Sequence, residues 1–163
     1  MGEREPTRRP TGVAQAIYGQ ILVTAVVAAL SEDSATALGY LLLSAVTTVG
    51  VLWIAHVYSE VLAQGIHVGR TMERGEVRAV IAAELPMIET AIPTVVVLLL
   101  GIVGVLSRNT TVSLAVAVGV AMLCYWGFVF GRAAGESWPS SLASAAITGG
   151  LGLVIVALKA VVH

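Results

Sequence analysis

Charge is scarce in this chain. Only 12% of its residues are Asp, Glu, Lys or Arg, about half the share of an ordinary soluble domain, where roughly a quarter are charged. The formal net charge is −1, and no run of Lys or Arg is dense enough to track a phosphate backbone, which excludes nucleic acid as a partner. Cysteine is all but missing: Cys124 stands alone in an apolar stretch, so no intramolecular disulfide and no CxxC or Cys/His zinc spacing can form. Aromatic residues are few, at 6%, whereas Ala, Val, Leu and Gly abound, a balance that suits helices packed through small residues. There is no Walker A loop, no dinucleotide fingerprint and no HExxH. Gly135-Glu136-Ser137-Trp138 continues into Pro139, so the G-x-S-x-G nucleophile pattern fails.

What fills the chain instead is apolar sequence, 57% of residues, with a mean hydropathy of +0.91. In hydrocarbon every backbone N–H and C=O must be satisfied internally, so a span is a helix of about 20 apolar residues or a strand of a closed barrel. These runs are too long and continuous for a barrel. They predict an all-α membrane protein, a polytopic bundle of about five transmembrane helices forming one domain over residues 1–163, with spans at about 11–30, 38–64, 79–106, 112–131 and 138–159. The second run exceeds a bilayer's thickness and must tilt or protrude. The third contains Pro86 and Pro93, which predict a kink or a broken first half. The connections are too short for a soluble domain.

Arg4, Arg8 and Arg9, then Arg70, Arg74 and Arg78, then Arg132 fall on one side of such a bundle, and Arg108 and Lys159 on the other. The positive-inside rule puts the N-terminus in the cytoplasm and the C-terminus outside, in a plasma (inner) membrane. A rival reading makes residues 1–37 a cleaved signal ending at Ala35-Thr36-Ala37. The apolar run is longer than a signal h-region of roughly 7 to 15 residues, which favours a span.

Trp53-Ile54-Ala55-His56-Val57-Tyr58-Ser59-Glu60 is echoed by Tyr125-Trp126-Gly127-Phe128-Val129-Phe130-Gly131-Arg132, with only Val57 and Val129 identical. As a repeat it would make spans two to three and four to five parallel helical hairpins, with an N-terminal helix added. It would also set Glu60 and Arg132 at equivalent positions, where they could form an ion pair.

His56, Glu60, Glu84, Glu89 and Arg132 all fall in the cytoplasmic half of the predicted bilayer. An ionisable group there costs at least about 2.5 kcal/mol on insertion scales, so such groups face one another or a watery cavity and often mark a pathway. His56 and Glu60 share a helix face at i, i+4, and His67 lies about 20° from His56 around the same helix. Imidazole and carboxylate suit a divalent metal, with Glu84 or Glu89 supplying further oxygens; otherwise no cofactor is predicted. Glu89, between the two prolines, is expected to lie deepest and to alternate between neutral and charged forms as a proton carrier. Gly131 and Gly135 fit GxxxG, and Gly149, Gly150 and Gly152 would let the last span approach a neighbour, from this chain or another.

The expected function is a small transporter or channel component, oligomeric, with Glu89, Glu60, His56 and Glu84 on the route of a proton, cation or small solute and Arg132 as counter-charge. Its partners are membrane lipid and either further copies or another membrane protein. One alternative is a non-catalytic membrane subunit that assembles or stabilises a larger complex. A second is a metal-dependent intramembrane enzyme acting on a lipid, which requires His56, Glu60, Glu84 and Glu89 to converge.

Overall fold

The computed structural model describes residues 12–31 and 36–162, apart from the side chains at 156 and 158–162. Arg4, Arg8, Arg9, residues 32–35, the Lys159 side chain and His163 lie outside the described residues. Among the described residues every regular element is a helix: α1 (Val13–Leu30), α2 (Leu38–Val68), α3 (Arg74–Glu84), α4 (Pro86–Glu89), α5 (Ile92–Ile102), α6 (Arg108–Ala133) and α7 (Trp138–Val162). Four of them, α1, α2, α6 and α7, are long and apolar enough to cross a bilayer, and a fifth crossing is added if α3–α4 and α5, bent by 46°, count as one span.

Local chemistry sets the ends. Gly12 takes φ 117°, and its N–H is taken by Gln15 Oε1 at 3.1 Å, supplying an acceptor that the first turn lacks. At the far end of α1 the Ser31 hydroxyl donates to the Ala28 carbonyl at 3.0 Å. Gly69 closes α2 in the left-handed region, φ 71°, the usual role of a glycine after a helix C-terminus. Glu76 Oε2 then accepts the Glu73 N–H at 2.7 Å, and Glu76 Oε1 meets Arg70 Nη2 at 2.8 Å, so the charged connection caps α3. Ser107 caps α6 by accepting the Thr110 N–H at 3.3 Å.

The prolines act where chemistry requires. Pro86 opens α4 and Pro93 is the second residue of α5; neither can donate to a preceding carbonyl, and each ring crowds the turn before it. The chain still winds on through the break, with Thr90 N–H to Pro86 O at 3.2 Å and Val95 N–H to Ala91 O at 3.0 Å. α3 differs from the apolar spans: Arg74, Glu76 and Arg78 alternate with Val77, Val80 and Ile81.

α1 is the centre of the bundle, touching α2, α4, α6 and α7. In its apolar window 39% of residues are buried, against 17% for α2, so α1 is the core helix and α2 an outer one. Its Val23 and Val27 join Leu41, Ala45 and Val49 of α2, Leu98 of α5 and Ala115 of α6 in the apolar core. α6 turns a buried row toward its neighbours at every fourth residue: Thr111, Ala115, Gly119, Leu123, Gly127 and Gly131. Gly119 faces Thr24 of α1, and Gly127 and Gly131 face Ser144, Thr148 and Ser141 of α7. The small-residue seam therefore runs back from Gly131 through Gly127, not forward to Gly135, which is exposed in the turn with φ 77°. Gly149 and Gly152 approach Cys124, Leu123 and Val120, so α7 is met by α6 of its own chain.

Candidate functional site: a polar layer at one end of the bundle

Contacts between helices put several polar groups at one level. α1 supplies Gln15, Tyr18, Gln20 and Thr24, the broken segment supplies Glu84, Glu89, Thr90 and Thr94, α2 brings His56 and α6 brings Trp126. From Gln15 to Thr24 the layer is about 14 Å deep at 1.5 Å per residue.

Its buried centre is neutral. Gln20 has no exposed surface; its Nε2 donates to Thr24 Oγ1 at 3.2 Å and to Thr94 Oγ1 at 3.5 Å, while its Oε1 accepts from the Thr90 hydroxyl at 3.1 Å. The Thr90 oxygen in turn accepts from Trp126 Nε1 at 3.1 Å. One amide thus ties α1 to the break and, through a threonine, to α6. Sequence reasoning missed all five residues because it searched for charge. The available signal was an i, i+4 pair on each partner, Gln20 with Thr24 and Thr90 with Thr94, in otherwise apolar runs.

Of the ionisable candidates only Glu84 is enclosed, at 5% exposure. Its Oε1 accepts from Gln15 Nε2 at 3.3 Å, the same Gln15 that caps α1. Its Oε2 is buried with no hydrogen-bond partner.

The other candidates stand on the outside. Glu89 is exposed on the outside of the bundle: it follows Glu84 by five residues, about 140° around a helix, so when Glu84 faces α1, Glu89 faces out. Glu60 is exposed and accepts from its own i+4 neighbour, Gln64 Nε2, at 2.8 Å. Arg132 is exposed and donates to the Glu136 carbonyl at 3.1 Å. The expected Glu60–Arg132 pair is not formed; among the described residues the ion pair is Arg70–Glu76. Each of the two side chains finds a partner four residues on in its own chain, and α1 and α5 pack on both α2 and α6. His56 is exposed, its ring beside Tyr18 with centroids 5.3 Å apart. His67 is exposed near the end of α2.

Among the described residues no three His, Cys, Asp or Glu side chains gather as a group that could hold a metal ion. Glu84 is enclosed, whereas His56, Glu60 and Glu89 are exposed.

The fold and this layer define a class: a helical bundle with four or five helices apolar enough to cross a membrane, pinned by a buried amide–hydroxyl network. Compared with protein-family models, with curated proteins and with solved structures, the chain matches none.

Proposed function

We propose that the chain is a five-span integral membrane protein of the plasma membrane, N-terminus cytoplasmic and C-terminus outside, and that it is a component of a transporter or channel for a proton, cation or small solute. The orientation is supported by the cations: Arg70, Arg74 and Arg78 follow the end of α2 and Arg132 lies in the last turn of α6, while Arg108 sits at the opposite end, donating to the Thr36 carbonyl at 3.3 Å. The observation that carries the function is that His56, Glu60 and Glu89 are exposed on an outer surface whose other exposed side chains are largely apolar. Ionisable groups are costly against lipid and accumulate where a route for polar solutes runs. Since they face outward, the route lies along the outside of one chain, at its boundary with a neighbour.

The test is ion and proton flux into liposomes carrying the purified protein, at several pH values. Wild type is expected to conduct, and Glu89→Gln and Glu60→Gln each to lose at least about tenfold of that flux, a loss on the order of 1.4 kcal/mol in barrier terms. Wild-type flux no greater than that of empty liposomes for every ion tried would discard the proposal.

A second reading, a non-catalytic subunit that assembles a larger complex, is favoured by the Gln20 network, whose donors are used within the chain. It expects no flux, co-purification of a partner, and tolerance of neutral replacement at both Glu60 and Arg132.

A further inference from the structure

The broken span keeps one face uncovered. Ile92, Val96, Leu99 and Val103 are exposed along α5 at spacings of four, three and four, one face of a helix, and Leu85 and Glu89 are exposed on the segment before the 46° bend. Lipid could cover five of the six. Glu89 is the exception: among the described residues it makes no hydrogen bond or ion pair, and its depth is set by its neighbour. Thr90 bonds to Gln20, eight residues from Gly12 and so about 12 Å along α1, well inside a hydrocarbon core of about 30 Å. A carboxyl facing lipid at that depth is unfavourable in either protonation state unless something polar meets it.

The chain carries a matching group on another surface at the same depth. His56 is exposed and lies against Tyr18, two residues from Gln20, or about 3 Å of helix rise. Its imidazole can donate to a carboxylate or accept from a carboxyl. Within one chain the two do not meet: the His56 ring lies tilted beside Tyr18, and among the described residues Glu89 makes no ion pair.

We propose that this face is an interface between copies of the chain, in which Glu89 of one copy meets His56 of the next. Joining two different surfaces at equal depth is a head-to-tail contact that repeats around an axis along the membrane normal and closes into a ring. A two-fold contact through the same face would set Glu89 against Glu89, acid against acid. The single polar position in an apolar face fixes the register of the two helices. The inference rests on the membrane placement proposed above, not on transport.

Stoichiometry is counted by single-molecule photobleaching of the labelled protein in liposomes, without flux as a readout. Wild type is expected to assemble, and Glu89→Ala and His56→Ala each to weaken association roughly three- to tenfold, the range of one polar contact between membrane helices. The exchanged double variant His56→Glu with Glu89→His is expected to recover assembly, which a merely misfolded single variant could not do. Three results overturn the interface: a wild type that is monomeric, assembly unchanged in Glu89→Ala, or single variants that dissociate with no recovery in the exchanged pair. An assembled protein without flux leaves the interface standing and removes only the transport proposal.

Discussion

Gly19→Val is expected to cost most of the folded protein. A Cβ at Gly19 would land on the carbonyl oxygen of Met87, with the Met87 carbonyl carbon and Cα at 3.0 and 3.1 Å. The obstacle is backbone, so no rotamer change relieves it, and α1 must withdraw from α4. Withdrawal strips Gln20, the next residue, from Thr90 and Thr94. Overpacking of about 1–3 kcal/mol and two lost membrane hydrogen bonds at about 0.6 kcal/mol each sum to roughly 2–4 kcal/mol, a large part of a typical domain's stability. Equilibrium unfolding in mixed detergent measures it, with Gly50→Val as control, since a Cβ at Gly50 meets nothing within 4 Å. Equal stability of the two variants would show that α1 does not rest on the Met87 backbone.

The second large effect is expected at Gln20. Gln20→Leu has the volume to fill the site but leaves the Thr90 hydroxyl without its acceptor and removes the donor to Thr24 and Thr94. Unsatisfied buried polar groups cost about 1–3 kcal/mol, and threonine softens this by turning its hydroxyl to a carbonyl one turn back. A loss of about 1–3 kcal/mol is therefore expected, with Thr90→Val losing less and the double variant less than the sum, because both remove the same bond. Trp126 reports the change directly, since its Nε1–H is held by Thr90; its fluorescence should shift in Gln20→Leu. Gln64→Leu, whose amide bonds only the exposed Glu60, is expected to be near neutral. Strict additivity of Gln20→Leu and Thr90→Val would mean that the two side chains do not share a hydrogen bond.

These two sites show where sequence reading stops. Apolar length announces helices because a bilayer leaves the backbone no other way to satisfy itself, and the long runs do lie on α1, α2, α6 and α7. Pro86 and Pro93 announce the break for an equally local reason, the missing N–H, and the break falls at Leu85 and at Thr90–Ala91. Height along a helix is also legible, since counting residues from a helix end gives depth. Rotation about each helix axis is not legible in spans that are apolar nearly all round, because no polar face marks the outside. Glu84 and Glu89 have similar depth and the same chemistry, and nothing local says which turns inward.

From its composition and periodicity alone, the sequence determined a helical chain with helices long enough to cross a bilayer and a proline-broken segment, because each follows from the backbone. Tertiary structure alone decided that Glu84 is enclosed and Glu89 exposed, that Glu60 and Arg132 stay apart, and that Gln20 rather than any charged group holds the layer together. Those outcomes depend on which helices touch and at what rotation, and that is set by small-residue contacts such as Gly19 on Met87 and Gly119 on Thr24, between residues far apart in the chain.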